Sequence, residues 1–269
     1  MIPLIKVEAR GLAEAYENAL LKLYHHGMEI PTDYDKEGDR KSRDCTMIIL
    51  VKEPLAEPMI HRCFPGGLED LEEYRQEVLD GIKDEFVRDL NDPDDKRWLY
   101  TYHQRLCNQF QRVLAELVRN PFTRRANMTT WLADSDIESE DPPCLQRIWL
   151  RCTQQGGVKY LNMHVSMRSN DAFKASFMNM FAFIMLQQRF ASQLSESLKE
   201  PVKVGQYLHM ADSFHIYGCD LQQFEQLFMK SLKNRSFEER TYTYEFCKPF
   251  FEEAKAKIKK KIASMRAEI

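Results

Sequence analysis

The chain has 269 residues, of which 43% are hydrophobic and 29% are charged, and its formal net charge at pH 7 is −3. These values indicate a globular protein that is large enough to form a core without disulfide or metal staples. The small net charge gives no global argument for nucleic acid or a membrane as a partner, and neither is expected.

The cysteines and the apolar segments indicate where the protein works. Seven cysteines are scattered without a CxxC pair or zinc-type spacing, which favours free thiols, no bound metal and a reducing, cytoplasmic compartment. The N-terminal segment MIPLIKVEARG lacks the apolar region of a signal peptide. The longest apolar segment, 176–188, is shorter than the ~20 residues that span a bilayer, so it predicts a buried helix.

The first half of the sequence alternates between helical and strand patterns. Apolar residues at helical spacing run between glycines 11 and 27, and similar spacing recurs in two later segments. The β-rich segment CTMIILVKEP is closed by a proline, which is typical of a strand. The predicted elements are a helix over 11–27, a strand over 45–54, a helix over 68–86, a turn-rich break at 91–97 and a helix over 98–120.

Strand patterns dominate the second half. A glycine turn at 155–157 separates two β-rich segments, which predicts an antiparallel hairpin. Because no repeat or low-complexity linker divides the chain, we predict a single α+β domain over 1–269. The predicted elements are strands over 124–133, 145–154 and 159–169, a buried helix from 170 to about 198, a strand over 202–217, one further helix and a basic amphipathic helix at about 245–269.

Arginines stand at two corners of the predicted strands. Arg124 and Arg125 follow the end of a helix, where they are either a solvated loop edge or a clamp for phosphate, which guanidinium groups bind bidentately. Arg168 begins the segment RSND at a strand-to-helix corner. The hydroxyl of Ser169 and the carboxylate of Asp171 would suit an anionic, hydrogen-bonding ligand there.

Cys144 lies directly behind two prolines at the start of a predicted strand. A nearby cation lowers the pKa of a thiol, and the predicted hairpin brings this strand beside the one that ends at Arg168. Cys144 is therefore a candidate nucleophile, the alternative being a structural cysteine, to which we assign the other six.

Three further polar residues are candidates for ligand contacts. His215 and Tyr217 alternate along a strand, so their side chains share a face and could hold a sugar hydroxyl or serve as core polar groups. Asn179 lies in the buried helix among Met, Phe and Ala, where its amide must find partners. Its donor and acceptor could read the edge of a base.

Five motifs in this order resemble those of the thymidylate synthase family. LAELVRNPFTRRANMTTW resembles that family's helix, Pro-x-Ser-Arg-Arg turn and strand ending in tryptophan, and PPC resembles its Pro-Cys nucleophile motif. MRSND, with an asparagine eight residues after the aspartate, resembles its Gln-Arg-Ser-x-Asp segment, and DSFHIY resembles its Gly-Asp-x-His-x-Tyr motif. YTYHQRL is a looser counterpart of Tyr-x-x-Gln-Trp-Arg.

This resemblance covers roughly 98–217. It implies a thymidylate synthase-like fold with a large, mostly antiparallel or mixed sheet that packs against helices, one sheet face forming a dimer interface. It also implies 5,10-methylenetetrahydrofolate as co-substrate, with no metal, and one-carbon transfer to C5 of a pyrimidine nucleotide, most simply methylation of dUMP to dTMP.

The same resemblance implies a role for each matching residue. Cys144 would add to C6 of the pyrimidine and make C5 nucleophilic, Asn179 would read N3 and O4 of uracil, and Asp171 would face the folate pterin. The sugar and phosphate contacts would be Arg168 and Ser169 to the 5′-phosphate, with Arg168 also favouring the thiolate, and His215 and Tyr217 to the 3′-hydroxyl.

Other implied roles depend on residues outside these motifs or in a second subunit. Arg124 and Arg125 would reach the phosphate bound by a partner subunit, which implies an obligate homodimer. An N-terminal arginine should also contact the phosphate, and of Arg40 and Arg43 we favour Arg43. For the family's catalytic glutamate we choose Glu77, four residues before a glycine, although its spacing does not match.

The sequence also departs from the family. Leu145 replaces the histidine that follows the nucleophile, Ala175 and Phe177 replace a glycine and a proline, and one residue is inserted between Asp212 and His215. The C-terminal tail that closes over the ligands has no counterpart. Exclusion of water decides between methyl and hydroxymethyl products, so nucleotide hydroxymethylation stays open, as does a non-catalytic nucleotide-binding paralogue.

Overall fold

The computed structural model describes residues 1–32, 34–89, 95 and 97–267. The predicted break at 91–97 lies mostly outside these residues. The strands of the described chain are β1 (Leu4–Ala9), β2 (Met28–Ile30), β3 (Ser42–Val51), β4 (Ile60–His61), β5 (Asn127–Thr129), β6 (Leu145–Gln155), β7 (Val158–Asp171), β8 (Val202–Ile216) and β9 (Thr241–Tyr242). The α-helices are α1 (Leu12–His26), α2 (Leu68–Asp80), α3 (Tyr102–Arg119), α4 (Ser176–Leu198), α5 (Leu221–Phe224), α6 (Lys230–Asn234) and α7 (Tyr244–Ala267).

A seven-stranded mixed sheet forms the centre of the described chain. Its order is β1-β3-β8-β7-β6-β5, and β2 pairs with β3. β1 is parallel to β3 and β7 is parallel to β8, whereas the other pairs are antiparallel. β4 and β9 form a separate two-stranded sheet. This arrangement confirms the predicted α+β class and mixed sheet.

The predicted hairpin is confirmed as β6 and β7. Only Gly156 and Gly157 separate the two strands, and their φ angles are 56° and 79°. Two successive residues with positive φ make the tight turn that matches the twist of antiparallel strands, and glycine adopts this conformation without steric cost.

Two helix boundaries differ from the prediction. The helix predicted over 68–86 ends at Asp80, because Gly81 adopts a left-handed conformation with a φ of 65°. The helix predicted from 170 begins only at Ser176, because β7 continues along β8 until Asp171 pairs with His215. The second difference puts the end of the RSND motif on a strand.

Other elements are shorter, shifted or divided. The helix predicted from 98 starts at Tyr102, where the hydroxyl of Thr101 accepts the backbone N–H of Gln104. The strand predicted over 124–133 is confined to Asn127–Thr129, and that predicted over 45–54 is Ser42–Val51. After β8, the single predicted helix is α5, a π-helical turn (Glu225–Met229) and α6.

The two faces of the central sheet differ. One is packed by α1 and α4 around a core rich in Phe, Leu and Met. On the other, Ile48 pairs with Met210 and Leu50 with Leu208 in adjacent strands, and these apolar side chains are only half-buried. The use of this face as a dimer interface stays a prediction.

The C-terminal helix α7 packs along α2. Phe251, Ile258 and Ile262 are buried, and Lys261 lies 2.8 Å from the carboxylate of Glu73. α7 is therefore held by an apolar stripe flanked by ion pairs, as expected of an amphipathic basic helix. Among the described helices, none is both long enough and apolar enough to cross a membrane.

A buried polar network underlies the sheet. The His209 ring lies 2.8 Å from Oδ1 of Asn170 through Nε2 and 3.0 Å from the hydroxyl of Tyr207 through Nδ1. Burial lowers the pKa of His209 to about 3. The folded protein therefore keeps this imidazole neutral at pH values where an exposed histidine is charged.

Acidification should therefore destabilise the fold through His209. Between pH 6.5 and 3 the unfolded chain binds a proton that the folded chain excludes, so the free energy of unfolding falls as the pH falls. At pH 5 this loss is about 2 kcal/mol. In urea unfolding, the free energy of unfolding should fall between pH 7 and pH 5 by about 2 kcal/mol more in the wild type than in His209→Gln. Equal decreases in the two proteins would show that His209 is not the group responsible.

Candidate active site

A cavity of about 250 Å³ opens where β7 and β8 end and β6 begins. β7 and β8 are parallel, so their last residues lie side by side, and the antiparallel β6 starts at the same edge. The N-terminal turn of α4 closes another wall. Six predicted site residues line this cavity: Cys144, Ser169, Asp171, Asn179, His215 and Tyr217.

The two prolines before Cys144 position an arginine. The guanidinium of Arg168 donates to the carbonyl of Pro143 at 3.1 Å and to that of Pro142 at 2.6 Å, and the Arg168 backbone N–H donates to the carbonyl of Cys144 at 2.9 Å. Burial raises the pKa of the Cys144 thiol, whereas the charge of Arg168 lowers it and that of Asp141 raises it. Arg168 therefore favours the reactive thiolate within a site that otherwise disfavours it.

Leu145, the departure next to the thiol, belongs to the core. Its side chain is fully buried, and its backbone N–H donates to the hydroxyl of Tyr102 at 3.3 Å. Leu145 is not among the residues that line the cavity. This substitution therefore removes a polar group near the thiol without placing a new side chain against the ligand space.

Tyr74 is a cavity residue that the sequence analysis missed. Its hydroxyl donates to Oδ1 of Asn179 at 2.5 Å, and burial raises the pKa of this phenol well above its ordinary value, so the proton stays on the oxygen. Since Oδ1 accepts this proton, Nδ2 is left to donate into the cavity. Tyr74 precedes Glu77 by three residues on α2, so the helical period could have identified it.

A relay of polar side chains fixes the tautomer of His215. Ser213 donates its hydroxyl proton to Oδ2 of Asp44 at 2.9 Å, so its oxygen must accept from Nδ1 of His215, which lies 3.2 Å away. His215 is buried, and its Nε2 has no hydrogen-bond partner among the described residues. Because this nitrogen carries no proton, it can only accept a hydrogen bond, for example from a hydroxyl group.

The residue inserted before His215 forms a bulge. On β3 only Thr46 lies between Cys45 and Met47, whereas both Asp212 and Ser213 separate their partners on β8. This bulge places Ser213 beside Asp44.

Asp171 is the last residue of β7, and backbone hydrogen bonds hold its carboxylate in place. Its Oδ1 accepts the backbone N–H groups of Phe173 at 3.0 Å and Lys174 at 2.9 Å. Burial nevertheless raises the pKa of this carboxyl, against the opposing effect of the Lys174 N–H and of His215.

Glu77 lies apart from the thiol. It lines a second cavity, of about 740 Å³, and forms an ion pair with Lys83 at 2.9 Å. The two cavities share Tyr74 and Tyr102 as walls. The structure therefore places Glu77 beyond Tyr74 rather than beside Cys144.

The predicted arginines, Arg168 among them, do not line the first cavity either. Arg43 forms an ion pair with Glu29 at 3.0 Å, and Arg40 forms one with Glu225 at 2.9 Å. Arg124 and Arg125 are exposed in the loop before β5, next to the half-buried face of the central sheet. There the Trp149 indole donates to the carbonyl of Arg124 at 3.1 Å.

One group of metal-ligand types comes together in the described chain. Side-chain atoms of Asp84, His103 and Cys107 lie within 4.8 Å of one another. The Asp84 carboxylate is already hydrogen-bonded to Nδ1 of His103 at 2.6 Å and to the hydroxyl of Thr101. The absence of a metal cofactor stays a prediction.

The fold and the cavity define an α+β protein with a cavity built around a half-buried thiol. The family profile of thymidylate synthase matches residues 69–243, more than half of the chain. The chain therefore belongs to the thymidylate synthase family.

Relatives and a solved structure agree with this assignment. A provisionally named thymidylate synthase from Methanocaldococcus jannaschii is 28% identical over 233 residues, which cover 84% of this chain and 97% of that protein. A thymidylate synthase from Streptococcus pyogenes is 26% identical over 117 residues, 43% of this chain and 40% of that protein. The structure of the thermostable thymidylate synthase A from Bacillus subtilis has a TM-score of 0.56 and 14% identity, with coverage of 87% and 95% of the respective chains, which supports the fold.

Proposed function

We propose that this protein transfers a one-carbon unit from 5,10-methylenetetrahydrofolate to C5 of a pyrimidine nucleotide, most simply methylating dUMP to dTMP. The observation that supports this most is the single cavity that contains Cys144, Asn179 and His215. A thiol, a base-reading amide and a hydroxyl-accepting imidazole are the groups that covalent catalysis on a nucleotide requires.

The chemistry begins at Cys144. Its thiolate adds to C6 of the pyrimidine, the C5–C6 double bond is lost, and the electron pair moves towards C5 and O4. Arg168, held by the two proline carbonyls, favours the thiolate. The folate supplies the one-carbon electrophile that C5 attacks. Loss of the C5 proton then expels tetrahydrofolate and leaves a methylene group at C5. Addition of hydride from tetrahydrofolate to this methylene, which gives dihydrofolate, restores the electron pair at C5 that expels Cys144.

The base is read by Asn179. Nδ2 donates to O4 of uracil, and Oδ1, which has two lone pairs, accepts N3–H as well as the Tyr74 hydroxyl. Cytosine presents the opposite pattern, an acceptor at N3 and a donor at position 4. An amide turned over to match cytosine would present Nδ2 to Tyr74, whose hydroxyl would then have to accept a hydrogen bond instead of donating one, so the short bond that it now donates favours uracil.

Tyr74→Phe should accordingly weaken the choice between bases. The amide of Asn179 can then turn over, and the preference in kcat/KM for dUMP over dCMP should fall by about tenfold, the value of one hydrogen bond. Tyr100→Phe, which removes a phenol from the second cavity alone, is the matched control. An unchanged preference in Tyr74→Phe would contradict the orienting role.

The proposed sugar and phosphate contacts combine residues of the cavity wall with arginines that lie outside its lining. The unpartnered Nε2 of His215 accepts a hydrogen bond from the 3′-hydroxyl, with Tyr217 beside it. Ser169 and Arg168 contact the 5′-phosphate. Arg43 remains the proposed N-terminal contact, which requires release from Glu29. Arg124 and Arg125 would complete the phosphate site of a partner subunit.

The second cavity fits the pterin of the folate. Its walls combine aromatic side chains such as Trp98 and Tyr100 with carboxylates such as Glu77, and it adjoins the nucleotide cavity through shared tyrosines. A flat ring system would stack on the former and hydrogen-bond to the latter. Asp171, which lines the nucleotide cavity, stays the proposed folate-side carboxylate, and Glu77, which lines the second cavity, stays the proposed catalytic one.

Hydroxymethylation is the second candidate. No described residue of α7 lines either cavity, so the C-terminal helix does not shield the intermediate from water. Attack of water on the one-carbon adduct would give hydroxymethyl nucleotide and return tetrahydrofolate, whereas hydride transfer gives methyl nucleotide and dihydrofolate.

A product assay tests the proposal. The protein is incubated with dUMP, dCMP, UMP or CMP plus methylenetetrahydrofolate, and the products are resolved by mass spectrometry. A methylated uracil nucleotide with dihydrofolate supports the first candidate, and a hydroxymethylated nucleotide supports the second. Nucleotide binding without product or C5 exchange would indicate the non-catalytic alternative.

Mixed subunits test the sharing of arginines. Arg125→Ala and Cys144→Ala proteins, each inactive alone, should regain up to about a quarter of wild-type activity when equal amounts re-associate, because half of the dimers are mixed and each has one intact site. Arg119→Ala, an exposed arginine paired with Glu116, is the control that keeps full activity. Mixtures as inactive as their parents would contradict sharing.

A further inference from the structure

Four alternating charges link the C-terminal helix to the second cavity. Lys261 of α7 lies 3.0 and 2.8 Å from the two carboxylate oxygens of Glu73 on α2. The same carboxylate lies 2.8 Å from the ammonium group of Lys83, which also lies 2.9 Å from the carboxylate of Glu77. Glu77 lines the second cavity, so α7 is linked to a wall that none of its own described residues lines.

The local sequence explains why Lys83 lies between the two carboxylates. Glu73 and Glu77 are four residues apart on α2, so their side chains project from one face of the helix. Gly81 then ends α2 in a left-handed conformation with a φ of 65°, which turns the chain back. Two residues later, the side chain of Lys83 returns to that face and pairs with both carboxylates.

Lys83 also contacts a second wall of the same cavity. Its ammonium group lies 5.2 Å from the centroid of the Trp98 ring, which is a cation–π contact. Trp98, like Glu77, lines the second cavity, whereas Lys83 does not. One side chain behind the cavity therefore supports both an aromatic and an acidic group of its wall.

The burial of these charges makes each one depend on its neighbours. Glu73 is only 6% exposed, and the side chain of Lys83 is 15% exposed. Burial raises the pKa of Glu73, but Lys261 and Lys83 outweigh burial, so this pKa is lowered. Burial likewise lowers the pKa of Lys83, but Glu73 and Glu77 outweigh it, so this pKa is raised. Removal of Lys261 would leave the Glu73 carboxylate to Lys83 alone among the described residues, which would draw the ammonium group away from Glu77.

We propose that Lys83 is a positioning residue for the co-substrate in the second cavity, and that Lys261 of α7 holds Lys83 in place through Glu73. This inference rests on the proposed function, in which the second cavity binds the pterin of the folate. Lys83 fixes the Glu77 carboxylate, which hydrogen-bonds to the pterin, and the Trp98 ring, on which the pterin stacks. The C-terminal helix therefore contributes to co-substrate binding without contacting the ligand, whereas nucleotide binding does not depend on these four charges.

Two binding constants measured on the whole chain test the proposal. By isothermal titration calorimetry, dUMP is titrated into the protein alone, and tetrahydrofolate is titrated into the protein saturated with dUMP. Lys83→Met removes the charge but keeps an apolar stem, so it should weaken tetrahydrofolate binding on the order of tenfold and change dUMP binding less than about twofold. Lys83→Arg keeps a cation and should recover most of the affinity for tetrahydrofolate.

Variants of α7 test the link through Glu73. Lys261→Met should weaken tetrahydrofolate binding about threefold, because Lys261 acts on the cavity only through Lys83. In the Lys83→Met background, the same change should therefore have no further effect. Lys257→Met is the matched control, because Lys257 lies one turn earlier on α7 and 3.7 Å from Glu69 of α2 but has no link to the cavity. It should change neither binding constant.

The outcomes separate this proposal from the proposed function. Wild-type protein that binds dUMP but no tetrahydrofolate would contradict the folate cavity, and the positioning role would be overturned with it. Wild-type protein that binds both, with an unchanged affinity for tetrahydrofolate in Lys83→Met, would overturn the positioning role alone. An equal loss of affinity for both ligands would indicate that Lys83 supports only the fold. If Lys83→Met does not fold, the comparison of Lys261→Met with Lys257→Met decides, and equal affinities in these two variants would overturn the proposal.

Discussion

Cys144→Ser should lower the release of tritium from C5-labelled dUMP by about 10³-fold or more, the usual loss when a covalent nucleophile is removed. A serine hydroxyl is a far weaker acid than a thiol, and Arg168 is the cation that favours an anion at this position. The loss should appear in kcat, because the thiol attacks the base but does not hold the nucleotide. Equilibrium binding of dUMP should stay close to that of the wild type.

The control is Cys107→Ser. Cys107 is half-buried on α3 and does not line the nucleotide cavity, so its replacement should leave tritium release unchanged. Tritium release at the wild-type rate by Cys144→Ser would show that this thiol is not the nucleophile.

The same assay should depend on pH through Cys144. Burial raises the thiol pKa, so only a minor fraction is thiolate at neutral pH, and this fraction grows as the pH rises towards the pKa. Tritium release should therefore increase with pH across the neutral range. Arg168→Gln should shift this profile to higher pH, because removal of the positive charge raises the thiol pKa further.

The nucleotide cavity could be predicted because its residues follow the strand period. Ser169 and Asp171 are two apart on β7, His215 and Tyr217 are two apart at the end of β8, and the ends of these parallel strands adjoin. A spacing of two fixes which side chains share a face. The predicted hairpin placed Cys144 at the same edge as Arg168, whereas only the family resemblance joined His215 and Tyr217 to this wall, because the pairing of β7 with β8 was not predicted.

Contacts between distant segments could not be predicted in this way. Asp44 reaches Ser213 across 169 residues of chain, and only the pairing of β3 with β8 brings the two together. Glu77 was chosen as a carboxylate, yet on the same helix Tyr74 is the residue that contacts the amide of Asn179. Residue type alone gave no means of choosing between Tyr74 and Glu77, which lie three residues apart on one face of α2.

The strand β1 was missed for a different reason. Ile5, Val7 and Ala9 alternate with exposed residues, which is the pattern of a half-buried strand. This pattern could have been recognised in LIKVEA. Its parallel pairing with β3, around α1, depends on the tertiary arrangement.

Asn179→Asp should move the preference of the enzyme from uracil to cytosine nucleotides. Burial keeps a carboxyl at this position protonated, so its hydroxyl donates to N3 of cytosine and its oxygen accepts from Tyr74, while the other oxygen accepts from the amino group. With uracil, the acid hydroxyl and N3–H are both donors and one stays unpaired. Leaving a buried donor unpaired costs about 1–3 kcal/mol, and the correct pairs with cytosine add a similar gain.

The ratio of kcat/KM for dCMP to that for dUMP should therefore rise by about 10²-fold or more in Asn179→Asp, and most of the change should lie in the loss of dUMP turnover. Asn234→Asp, an exposed substitution at the end of α6, makes the same exchange of amide for carboxyl away from both cavities and should leave the ratio unchanged. A variant that loses both substrates equally, while its thermal unfolding matches the wild type, would indicate that Asn179 supports the cavity without reading the base. Tyr74 donates to an oxygen of either side chain. Adding Tyr74→Phe to Asn179→Asp should therefore change the ratio of kcat/KM values little further. This result would separate recognition of the base from orientation of the amide.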